Sequence, residues 1–119
     1  MTTAEANRDK ARKELVELAH GMLSGSINSP IEACRRLVRL RVEAGAPTSS
    51  AFNAVIGVES ETDDYPIGEH RSGYSEEMLK RLDSEVATYM NEVRPALLEA
   101  SREIIREMET LLSSTERIQ

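Results

Sequence analysis

Tryptophan is missing from this chain, and its 119 residues include one phenylalanine and three tyrosines, so aromatic rings cannot build its core. Leu, Ile, Val, Ala and Met must do so, which is the usual filling between packed helices. There is one cysteine, Cys34, which excludes an internal disulfide. Cys34 falls on the apolar side of a predicted helix, where a buried thiol is expected rather than a reactive one. His20 and His70 are the only histidines, and no Cys/His cluster supports zinc. Long hydrophobic runs are absent too. None approaches the roughly 18 residues of a membrane span. The start, MTTAEANRDKARKE, is polar and carries no apolar signal region. A cytoplasmic protein without membrane association is the expectation. A positive balance is also lacking: the net charge is −6. The first 45 residues carry a surplus of two positive charges, and the remainder a deficit of eight. Such an acidic half argues against nucleic-acid binding, which needs basic groups opposite phosphates. It suits a basic protein partner.

The residues that are present read as one globular helical domain over 1–119, with 39% hydrophobic and 30% charged residues. Thr2 and Glu5 have the spacing of a capping box. Ala11, Leu15, Leu18 and Met22 then recur at helical intervals, with Arg8, Arg12, Lys13, Glu14 and Glu17 assigned to the opposite side. A first helix over about 3–24 ends at Gly25. Ser29-Pro30-Ile31-Glu32 combines a cap, a proline suited to the first helical position and a capping-box acid. The second helix, about 29–44, stops before Gly45 and Pro47. A connection of about four residues implies an antiparallel helix hairpin. Residues 49–58 suit a short helix or turn carrying Phe52, a core plug that anchors the start of a loop.

That loop, residues 58–75 (VESETDDYPIGEHRSGYS), lacks helical periodicity and reads as ordered and acidic. Its carboxylates Glu59, Glu61, Asp63, Asp64 and Glu69 face one firm positive charge, Arg71. Tyr65 and Tyr74 sit among them, and Pro66 and Gly68 stiffen the turn. Tyrosines beside acids have the composition of an interface hot spot, so these seven acid and tyrosine positions form the candidate partner-binding set. Ser60 and Asp63 have side chains suited to bonding local backbone. On the second helix, Glu32 with Arg36 and Arg39 with Glu43 have the spacing of ordinary surface pairs. The sharper reading sends one or two arginines, Arg35 and Arg39 among them, back to the loop carboxylates.

Ser75 followed by Glu76 and Glu77 starts the last helix, with acids against its positive end. Leu79, Leu82, Val86, Tyr89, Val93, Ala96 and Ala100 recur at alternating spacings of 3 and 4, continued by Ile104, Met108 and Leu111. The phase survives Pro95, which favours one kinked helix over about 76–112; two helices split at Pro95 are the alternative. The tail SSTERIQ is expected to fray. A helix this long outruns the first by roughly 20 Å at 1.5 Å per residue, and the surplus needs a partner.

Catalysis finds little support. The alternation Glu59, Glu61, Asp63 resembles a calcium loop, but the sixth position is Asp64 instead of glycine and the twelfth is His70 instead of glutamate. No glycine-rich phosphate loop is present, and no base sits near a Ser or Cys. The expectation is no enzyme, no metal and no cofactor.

The string Ser60-Glu61-Thr62-Asp63, two residues, Pro66, one residue, Gly68, two residues, Arg71 resembles a motif in a family of small, uncharacterised bacterial helical proteins. In that family a helix with paired arginines, here Arg35 and Arg36, precedes the motif and a long helix comes after it. The resemblance covers roughly Leu15 to Ile105. Glu61, Asp63, Pro66, Gly68 and Arg71 are the matching positions. The family often has a tryptophan shortly after the arginine; this chain has Tyr74. Its members look like neighbours of secreted toxins. The resemblance implies an immunity protein that binds and blocks a cognate toxin domain encoded next door. The alternative is a homodimeric helical scaffold or regulator, associating through Ile104, Ile105, Met108, Leu111 and Leu112.

Overall fold

The computed structural model describes residues 2–118, with side chains over residues 2–114. The fold is all-α: helix α1 (Thr3–Ser24), α2 (Pro30–Glu43), α3 (Asn53–Glu61) and α4 (Glu76–Ile118). Two 3-10 segments, Ser50–Phe52 and Gly68–Gly73, precede α3 and α4, and the described residues contain no strand. Each helix packs on the next, and α4 closes the ring by packing on α1.

Local chemistry explains the boundaries. Thr2 Oγ1 accepts the Glu5 amide at 3.1 Å and Ser29 Oγ accepts the Glu32 amide at 3.3 Å. Each satisfies one of the free amides at a helix start. Gly25 ends α1 with φ +76°, a left-handed conformation that favours glycine. The turn then folds Ile27 back onto Gly21. A Cβ at Gly21 would stand 2.7 Å from Ile27 Cδ1, so a larger residue there would push the Ile27 side chain aside.

The core is aliphatic around one ring. Leu15, Leu37, Phe52, Val55, Ile104 and Met108 have no exposed surface, and Cys34 lies among them. Burial pushes the Cys34 thiol up to about 12, so it stays protonated and inert. Arg12 departs from the sequence reading. The helical stripe assigns it to the solvent face, yet it is 8% exposed. Its Nε donates to the Ala44 carbonyl at 2.9 Å. A cation there satisfies a carbonyl at the end of α2 and lies at the negative pole of that helix. Arg36 also leaves its expected partner Glu32 and bonds Glu14 on α1, with Nε to Oε1 at 3.1 Å. Both arginines tie the hairpin across its two helices.

Helix α4 is continuous through Pro95 and extends to Ile118; Gln119 lies outside the described residues. Its two halves differ. Between Glu76 and Ala96 no residue is buried, whereas Leu97, Ala100, Ser101, Ile104, Ile105 and Met108 are. The expected stripe through Ala96 is displaced by one residue, because Ala96 is exposed and Leu97 takes its place. A repeat of 3.5 residues drifts about 20° per heptad on a straight helix of 3.6, which moves the apolar face around. Ile104, Ile105 and Met108, the residues expected to drive dimerisation, are spent inside the fold at 0%, 8% and 0% exposure.

Removing the Phe52 ring leaves a cavity between α3, α4 and α2. Phe52→Ala is expected to lower stability by about 3–5 kcal/mol, read from urea unfolding. Val42→Ala, at a position 59% exposed, should stay within about 0.5 kcal/mol of the parent.

Candidate functional site

The segment between α2 and α4 is more ordered than its sequence suggests. Helix α3 continues through Glu61, so Glu59 and Glu61 stand on its last turn and the loop proper begins at Thr62. Thr62 is 2% exposed, and its hydroxyl donates to the Val58 carbonyl at 2.6 Å. This is the side-chain bond that shapes the turn; Ser60 and Asp63, the expected candidates, are exposed and make no such bond. The Tyr65 amide closes the turn on the Thr62 carbonyl at 3.1 Å. Pro66 is buried, Gly68 takes φ +58°, and residues Gly68–Gly73 form a 3-10 segment with nothing buried.

Two arginines hold this lobe. Arg35 Nη2 on α2 donates to the Thr62 carbonyl at 2.6 Å and to the Tyr65 carbonyl at 3.3 Å. It reaches backbone oxygens and not the loop carboxylates expected for it. Arg39 is exposed and bonds no described residue, so it does not pin the loop. Arg39 shares a face with Arg35 but stands one turn, about 6 Å, further along α2.

Arg71 forms the second anchor. Its Nη1 and Nη2 donate to Asp83 Oδ1 and Oδ2 on α4 at 3.0 and 2.8 Å, a bidentate pair. Nη1 also approaches the Pro66 carbonyl at 3.3 Å and the Tyr65 hydroxyl at 3.1 Å. The Tyr65 hydroxyl donates to Asp83 Oδ1 at 2.5 Å. The arginine lies 5.8 Å from the Tyr65 ring centroid, within cation–π range. Hydrogen bonds from Arg71 and then Tyr65 hold the Asp83 carboxyl below the usual aspartate range. Desolvation, then the bond to Asp83, raises the Tyr65 phenol.

This arrangement redistributes the candidate residues. Tyr65 is half-buried and its hydroxyl is bonded to Asp83, so it takes part in the latch. Tyr74 is 41% exposed, and Met78, one turn into α4, is 38% exposed. Glu61, Asp63, Asp64, Glu69, Glu76 and Glu77 are exposed and Glu59 is half-buried. Among the described residues none of these seven joins an ion pair. Asp83 reads in the sequence as one more acid on a charged helix. The only hint of its role is a tyrosine hydroxyl and an arginine in the loop, both in need of an acceptor.

The lobe can offer unpaired carboxylates to cations. Among the described residues no three His, Cys, Asp or Glu are disposed to hold a metal ion, and no helix is long and apolar enough to cross a membrane. No family model matches the chain, no curated protein is significantly similar to it, and no solved structure matches its fold.

Asp83→Asn removes one charge of the latch. Amide exchange at residues 67–74 is expected to speed up at least about tenfold, with little change in the global unfolding midpoint. The folded pKa of Asp83 is depressed, so its contribution is present above the unfolded value and lost as pH falls through the folded one. Protection factors at 67–74 should hold steady from about pH 5 to 8 and fall only well below about pH 4. Unchanged protection in Asp83→Asn would mean that the lobe is held elsewhere.

Proposed function

We propose that this protein is a cytoplasmic, non-catalytic immunity-type inhibitor that covers a basic surface of a cognate bacterial toxin domain. One observation supports the reading. The lobe's own arginine is committed to Asp83, and Arg35 is committed to backbone carbonyls, so the surrounding carboxylates have no internal counter-charge. Acids held in place but not neutralised steer a basic partner and pair with it on contact. Glu61, Asp63, Asp64 and Glu69 supply the charge, and Tyr74 with Met78 supplies exposed apolar surface beside it. Occlusion of a cleft asks for no catalytic group on the inhibitor.

Self-association as a helical scaffold is the second reading. It draws on the stripe Leu79, Leu82, Val86, which is half-buried and outside the main core. Sedimentation at about 100 µM tests it: a standard-size interface would give a dimer, and Val86→Glu should dissociate it. A parent that sediments as a monomer ends this reading.

For the inhibitor reading, co-expression with the product of the adjacent open reading frame is expected to yield a stable complex. Glu61→Lys, Asp63→Lys and Asp64→Lys together should weaken it roughly 100-fold or more while the helical circular dichroism is retained. A complex of unchanged affinity would remove the acidic lobe from the interface.

A further inference from the structure

Away from the acidic lobe, the end of α1, the turn into α2 and the middle of α4 enclose a crevice of about 240 Å³. Its walls are Met22, Ile27, Met90 and Leu98, and Leu97, 3% exposed, lies beneath them. The crevice is a consequence of the backbone between α1 and α2. Gly21 lets Ile27 fold inward, and the left-handed Gly25 turns the chain so that it does. Two methionines give adaptable, polarisable walls.

One charged group lines it, Arg94, beside the Asn91 amide. Arg94 is exposed and makes no hydrogen bond or ion pair with any described residue. Lys80, Arg81, Arg102 and Arg106 each have an acid three or four residues away. Arg102 and Arg106 reach Glu99 at 3.3 and 3.7 Å. The corresponding neighbours of Arg94 are Met90, Asn91, Leu97 and Leu98, which are the crevice itself. Arg94 therefore lies against apolar surface with no acid among its helical neighbours.

We propose that this crevice binds a medium-chain carboxylate, with the hydrocarbon between Met22, Ile27, Met90 and Leu98 and the head group on the Arg94 guanidinium. An apolar cleft with a few convergent polar groups is the usual form of a small-molecule site. A single guanidinium fork matches one planar, singly charged carboxylate in two parallel hydrogen bonds. A phosphate would call for a second cation, and none lines the crevice. A crevice of about 240 Å³ is small, which suits a medium rather than a long chain. The site is separate from the acidic lobe and does not depend on the inhibitor reading.

Octanoate is the probe, with 1-octanol and octylammonium as controls of equal chain length. Titration followed by amide NMR is expected to saturate with octanoate, with shifts concentrated at residues 21–30 and 90–98. Octylammonium should bind at least tenfold more weakly. Arg94→Gln should reduce octanoate to the affinity of octanol and leave octanol unchanged. Arg94→Lys, which keeps the charge but loses the fork, should fall between. Leu98→Asp should abolish binding of octanoate and octanol. Equal affinity for octanoate and octylammonium, shifts centred elsewhere, or octanoate binding unaffected by Arg94→Gln would each overturn the proposal.

Discussion

A loop crowded with carboxylates repels itself, and an anchor must hold it in place against that repulsion. Here the bidentate pair between Arg71 and Asp83 does this. The acid that receives Arg71 lies on α4, outside the loop. Arg35 acts in the same spirit by binding the carbonyls of Thr62 and Tyr65. Each guanidinium fastens the chain to a helix and leaves the loop's own acids facing water. Had Arg71 paired with Glu69 or Asp64, the lobe would have lost both its anchor and part of its charge.

The same division runs along α4. From Leu97 onward the helix is a wall of the core, with Ala100 and Ser101 small and buried among larger neighbours. The Ser101 hydroxyl, buried at 0% exposure, is satisfied by the Leu97 carbonyl at 2.8 Å. Before Leu97 the helix is a half-covered support to which the lobe is latched at Asp83. Pro95 falls close to the change and does not interrupt the helix. A proline there forfeits one backbone hydrogen bond, and it is exposed, where water can satisfy the carbonyl left behind. The molecule is accordingly elongated, 57 Å by 28 by 25 Å.

Charge is used in three distinct ways. Arg12 is buried to close α2, Arg71 is half-buried to latch the lobe, and Arg94 is left open beside an apolar crevice. Composition alone makes these three the same residue. Their surroundings separate a structural cation from a latch and from a recognition group, because the cost of burying a guanidinium is met only where fixed acceptors surround it.

Helix placement was legible from residues alone. Thr2, Ser29 with Pro30, Ser75 and Gly25 act within about four residues of themselves, so their meaning does not depend on the fold. The aliphatic core and the buried Cys34 came from periodicity for the same reason. Partner choice was not legible. Which acid takes Arg71, whether Arg12 turns inward, whether Tyr65 faces a partner or its own helix, and how Ile104 and Met108 are used are decided by contacts between distant segments. The helical continuation of α3 through Glu61 was hidden by Gly57 and the β-branched Val55, Ile56 and Val58, whose weak propensity is overridden by packing against α2 and α4. Local hydrogen-bonding rules determined where the helices are, and only the closing of the ring determined which side chains they would have to satisfy.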